Sequence, residues 1–219
     1  MNIYFVSAWI ANAFELLALG LSLWLCLRAS SPKYMRSLPI YFFVNAIINL
    51  GFFPILRTQP AAVVFASFET CYFAFLLTQI IHGRKMIIAT WLMVALYLSF
   101  IALEWTRGIE KVFILPPLFE SCILIIPSLY YYWEVFKRAE VRNLKNEAAF
   151  WVVSSILVYS VFVIPVYTLC TYYFFHLDRA TTFQVFSILN FVSVIGYCLF
   201  IKGMSCKKAV SSSTRTVSS

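Results

Sequence analysis

Apolar residues fall in seven long runs along the chain, separated by short polar stretches. The runs are Tyr4–Leu27, Ser37–Leu56, Ala61–His82, Met86–Trp105, Val112–Phe136, Glu147–Tyr173 and Thr182–Gly203. Each is close to the ~20 residues that an α-helix needs to cross a bilayer. None alternates with a period of two, and all exceed the ~9–11 residues of a membrane β-strand. The pattern predicts an all-α polytopic membrane protein, a bundle of seven transmembrane helices filling residues 1–203. Short loops make consecutive helices antiparallel neighbours. The Ser/Thr-rich tail, 204–219, is expected to be a disordered cytoplasmic segment.

Composition supports a lipid setting. Hydrophobic residues make up 62% of the chain and charged residues 12%, half the ~25% of an average soluble domain. A soluble domain of this size leaves that much apolar surface in water and aggregates. Six cysteines without a C-x-x-C pair, five of them inside apolar runs, argue against a disulfide framework.

Charge then sets orientation. Of the 17 Lys and Arg, 13 lie in the first, third and fifth loops or at the C-terminal end, and 4 lie on the other side. The Lys/Arg-rich side is cytoplasmic by the positive-inside rule, so seven crossings put the N-terminus outside. The net charge of +8 is therefore a topology signal, and no nucleic-acid partner is expected. Tyr130, Tyr131, Tyr132 and Trp133 at the inner end of the fifth run, and Trp105, Tyr172 and Tyr173 at outer ends, suit interfacial anchoring. The expected location is an integral, multi-pass position in a bacterial inner membrane.

Three acids stand inside apolar runs: Glu15, Glu69 and Glu120. Each follows a phenylalanine, and two share a longer match, Phe68-Glu69-Thr70-Cys71 and Phe119-Glu120-Ser121-Cys122, which hints at a repeated helical hairpin. Counting from the outer ends puts all three roughly 12–17 Å deep, near the bilayer midplane. Asn12, one turn before Glu15, together with Asn45, Asn49, Tyr159, Ser160 and Asn190, falls at similar levels. A polar layer across the bundle is expected. A charge at the bilayer centre costs about 2.5–3.5 kcal/mol on insertion scales, and no Lys or Arg lies deep in any run to offset it. The acids must be protonated, share protons or bind a cation. The bland alternative is neutral carboxyl groups bonded to neighbouring helices, although such bonds average only ~0.6 kcal/mol.

Glu120 has two readings. Pro116 and Pro117 precede it; they either occupy a helix's first turn, which brings Glu120 closer to the outer interface, or break a membrane-embedded helix as in some transporters. Pro127 and Pro165 are candidate kinks. A metal site is not expected, since Glu and Cys two residues apart point to opposite sides of a helix, and His82 and His176 lie near opposite faces. No cofactor is expected. A retinal pigment needs a lysine midway along the seventh helix, where only Lys202 occurs, at the cytoplasmic end.

In its topology, and in the Phe150-Trp151 pair that opens the sixth run, the chain resembles small bacterial seven-helix membrane proteins and the seven-helix sensory domains that precede histidine kinases. That resemblance implies sensing and assigns no residue. The leading expectation is a membrane sensor or accessory subunit. It binds a small ligand, proton or cation among the first, third, fifth and seventh helices and signals through the basic fifth loop to a membrane or cytoplasmic partner, or within a homo-oligomer. A proton- or cation-coupled transporter or channel comes second. A lipid-modifying enzyme comes last, because no nucleophile–base pair or metal set supports it.

Overall fold

The computed structural model describes residues 3–27, 32–51, 59–107, 115–137, 144–176 and 179–206. Among these residues the chain is helical and contains no strand. Seven α-helices follow one another: α1 (Ile3–Cys26), α2 (Leu38–Gly51), α3 (Gln59–Ile80), α4 (Arg84–Arg107), α5 (Leu115–Lys137), α6 (Ala148–His176) and α7 (Arg179–Ser205). Short 3-10 turns at Lys33–Ser37 and Leu144–Asn146 lead into α2 and α6. The expected tail from 207 onward lies outside the described residues, as do the interhelical segments 52–58 and 108–114.

Five helices are long and apolar enough to cross a membrane, over Ile3–Cys26, Val63–Ile80, Arg84–Thr106, Ala148–Leu169 and Gln184–Ser205. In α2 the described helix has 14 residues. In α5 two glutamates, three prolines and the Tyr130–Trp133 run dilute the apolar character.

The helices are inside out compared with those of a water-soluble bundle. On α1 the buried stripe is Ser7, Ala11, Glu15, Ala18 and Ser22, spaced three or four apart and so on one face. Its outward face carries Trp9, 71% exposed, with Leu16, Leu17 and Leu23. On α4, Ile88, Leu92 and Leu96 are all more than 60% exposed, while Thr90 is fully buried. Water penalises large apolar side chains outside and small or polar ones inside; lipid reverses both preferences. Several buried hydroxyls are satisfied within their own helices. Thr70, Thr90, Ser121 and Ser128 each donate to the carbonyl four residues back, at 2.7–2.9 Å.

Packing is closest between α6 and α7, and α7 in turn lies against α1. A Cβ on Gly203 would sit 3.2 Å from the Ala148 carbonyl and from the Trp151 Cβ, and one on Gly196 would sit 3.3 Å from the Ser155 Oγ. The missing side chains let the two backbones approach, and Ser155 donates across to the Gly196 carbonyl at 2.8 Å. Helix α5 packs on α3, α4 and α6. Contact between α2 and α3 runs through long aromatic side chains. The Tyr41 ring stacks on Tyr72 at 4.9 Å and meets Phe73 at 4.8 Å.

The main hydrophobic core gathers Leu38, Phe42, Leu76, Leu77, Val152 and Ile156, the N-terminal halves of α2 and α6 against the C-terminal half of α3. The described ends of the first, third and fifth loops meet there. Tyr34, His82 and Glu147 line one cavity there, and the Cys206 thiol after α7 donates to the Lys145 carbonyl at 3.6 Å. Burial, reinforced by the Glu147 carboxylate and the Cys206 thiol, holds the Tyr34 phenol above its ordinary 10.0. Burial likewise raises the Cys206 thiol, with Lys202 pulling the other way.

Candidate binding site

Pro116 and Pro117 occupy the first turn of α5, where their fixed φ and missing N–H are tolerated. In the described helix Glu120 follows Leu115 by five positions, about 7.5 Å. Glu69 follows the start of α3 by ten. Both carboxyl groups line one cavity. Helices α5 and α6 continue through Pro127 and Pro165.

All three glutamates are buried: Glu15 is 2% exposed, Glu69 8% and Glu120 7%. They line two cavities that share a wall. The first, about 230 Å³, lies among α1, α2, α3, α6 and α7 and takes in Glu15 and Glu69. The second, about 200 Å³, lies among α2, α3, α5 and α6 and takes in Glu69 and Glu120. Phe65, Glu69, Tyr159 and Ser160 line both. The lining of the first runs along α1 from Tyr4 to Glu15, eleven residues or about 16 Å. Among the described lining residues of either cavity none is Lys, Arg or His.

Each acid meets a hydroxyl. The Tyr41 hydroxyl donates to Glu69 Oε1 at 2.7 Å. Tyr197 accepts from Asn45 Nδ2 at 3.1 Å and its hydroxyl bonds the Glu15 carboxyl, so α2, α7 and α1 are linked in one chain of hydrogen bonds. Glu120 faces Thr70, whose hydroxyl donates to the Ala66 carbonyl at 2.7 Å. On the second cavity, Glu120 Oε1 and Ser160 Oγ are buried without a hydrogen-bond partner among the described residues.

Of the residues singled out from the sequence, Asn12, Glu15, Asn45, Glu69, Tyr159 and Asn190 all line the first cavity, and Glu120 lines the second. Asn190 donates to Ser7 Oγ at 3.0 Å, joining α7 to α1. The Asn49 side chain lies outside the described residues, as does that of His176. Helix α6, which the sequence brought in through Tyr159 and Ser160 alone, is a full wall of the site, adding Ser155 and Ile156 to the first cavity. Tyr41 and Tyr197 were also missed. Tyr41 lies four residues before Asn45 and Tyr197 seven after Asn190, so both share a helix face with an intramembrane amide, a signal available in the sequence.

The Phe-Glu-(Thr/Ser)-Cys match has a structural counterpart. In both copies the Glu is buried, and the hydroxyl residue (Thr70 or Ser121) is buried and bonded back to its own helix. Cys122 is exposed and Cys71 half-buried, whereas the glutamate two residues before each is buried, as two-residue spacing on a helix predicts. No group of three or more His, Cys, Asp or Glu side chains is arranged to hold a metal ion among the described residues. No protein-family model, curated protein or solved structure matches this chain.

Proposed function

We propose that this chain is an integral membrane sensor or accessory subunit. It crosses the bilayer seven times with its N-terminus outside, binds a small cationic species or proton at the Glu15–Glu69–Glu120 cavities, and passes the bound state to a partner chain. The observation that carries this reading is the pair of cavities holding three buried carboxyl groups and no basic side chain. A carboxylate in such a place needs a countercharge, and for Glu69 and Glu120 no Lys, Arg or His stands among the described lining residues to supply one. The gathering of Tyr34, His82, Glu147 and Lys145 at one end of the bundle supports a common, Lys/Arg-rich cytoplasmic face. The first cavity begins near Tyr4, at the opposite end of α1, which favours a ligand arriving from outside. Output then passes through the cytoplasmic loops, with the basic fifth loop the first candidate.

The test is thermal stability of the purified protein in detergent, across pH and a cation panel, for wild type and Glu69→Gln. A pH step or cation effect that Glu69→Gln removes supports the reading. Identical melting of both proteins under every condition sinks it. A second reading, a proton- or cation-coupled transporter, is favoured by the wall that the two cavities share, because Glu69 can face either one. Cation or proton flux into liposomes, lost in Glu69→Gln, selects it; stabilisation without flux selects the sensor.

A further inference from the structure

We infer that the species bound is an organic ammonium cation of a few carbons rather than a bare metal ion. This inference rests on the carboxylate cavities being a ligand site. Three features of that site lead to it. The first is size. A cavity of about 230 Å³ is many times the ~10–15 Å³ of probe space that one water needs, far more than one metal ion fills, and among the described residues no group of three or more His, Cys, Asp or Glu side chains is arranged to hold a metal ion.

The second is the lining. Phe65 and Tyr159 line both cavities, with Tyr41, Phe73, Tyr197 and Phe200 added in the first. Aromatic faces beside carboxylates are a poor substitute for the hydration shell of sodium or magnesium. They suit a cation whose charge is spread over C–H groups, which they attract through the ring quadrupole. The third is the unpartnered polar atoms. Ser160 Oγ, on a residue 1% exposed, and Glu120 Oε1 are both buried on the second cavity. Each can accept a hydrogen bond, and an ammonium N–H is a donor that the surrounding protein does not provide.

The probes are an alkylammonium series from methylammonium to tetraethylammonium, compared with Na⁺, K⁺, Mg²⁺ and Ca²⁺ at matched ionic strength. The readout is thermal stability in detergent of wild type, Glu69→Gln, Phe65→Leu and Ser160→Ala. The expected result is stabilisation that peaks at an intermediate alkylammonium size and disappears in Glu69→Gln. Phe65→Leu keeps an apolar side chain but removes the ring face, and should weaken tetramethylammonium about tenfold. Ser160→Ala deletes one small hydroxyl and serves even if Phe65→Leu misfolds. It should weaken methylammonium, which can donate to Ser160, and leave tetramethylammonium, which cannot, unchanged. If only inorganic cations or pH stabilise, and Glu69→Gln removes that effect, the organic-cation inference is overturned while the ligand site stands. If nothing stabilises either wild type or Glu69→Gln, both are overturned.

Discussion

The Tyr41–Glu69 hydrogen bond offers a direct measure of the charge on the central carboxyl group. Tyr41 is 4% exposed and Glu69 8%, and the bond is 2.7 Å long. Tyr41→Phe removes only the hydroxyl, because the ring stays stacked on Tyr72 at 4.9 Å. Glu69→Gln removes the capacity for charge but keeps an oxygen that still accepts from Tyr41. The double-mutant cycle therefore isolates the part of the bond that depends on ionisation. A bond to a charged group contributes about 1.5–3 kcal/mol and a neutral one about 0.5–1.5, so the cycle should read roughly 1 kcal/mol or more for a carboxylate and close to zero for a neutral acid. With the cavity empty no countercharge is present, and the expected coupling at neutral pH is near zero. On saturation with the cation the carboxylate has its partner, and the coupling should rise to about 1 kcal/mol. The assay is equilibrium unfolding in mixed micelles on titration with a denaturing detergent, for the four proteins with and without cation. A coupling of 1 kcal/mol already present in the cation-free protein, or one that never changes with cation, refutes the claim that Glu69 waits for an external countercharge. A Tyr41→Phe change that costs less than about 0.3 kcal/mol shows that the bond adds nothing, well below the ~0.6 kcal/mol average of membrane side-chain bonds.

Three further outcomes are expected. Glu120→Gln, which keeps the shape of a buried side chain and removes its capacity for charge, should be nearly neutral in stability if the acid is neutral, whereas Thr70→Val, which removes the hydroxyl bonded to the Ala66 carbonyl, should cost up to about 1 kcal/mol; micelle unfolding measures both, and a larger loss in Glu120→Gln shows that Glu120 is ionised. Gly203→Leu should separate α6 from α7 and destabilise by at least 1–3 kcal/mol, while Gly20→Ala, whose added Cβ meets nothing within 4 Å, should gain up to ~1 kcal/mol; equal effects of the two in the same unfolding assay contradict the packing. The raised Tyr34 phenol means that the folded protein keeps a proton which the unfolded chain releases near its ordinary 10.0, so the associated stability is intact below pH 10 and is lost as pH climbs above it; alkaline melting should fall less steeply in Tyr34→Phe, and an unchanged slope counts against the burial of that phenol.

The helices were legible in the sequence because lipid imposes one coarse rule, a sustained apolar run, and that rule survives without knowledge of neighbours. The acids were legible for the complementary reason: Glu15, Glu69 and Glu120 break the rule, and lipid makes such breaks costly. What could not be read is rotation. A run that is apolar on every side, such as α6, gives no stripe to say which face turns inward, so its contribution of Tyr159 and Ser160 as the wall between two cavities came only with the fold. Glu69 and Glu120, placed at one level by counting along the apolar runs, line one cavity. The tyrosines complete the point. Tyr41 and Tyr197 look like ordinary interfacial aromatics in a list of residues, and their hydroxyls acquire a role only when the fold brings Glu69 and Glu15 to them. In the function proposed above, a cation that enters the cavities ionises carboxyl groups whose partners from other helices, Tyr41 for Glu69 and Tyr197 for Glu15, already stand beside them.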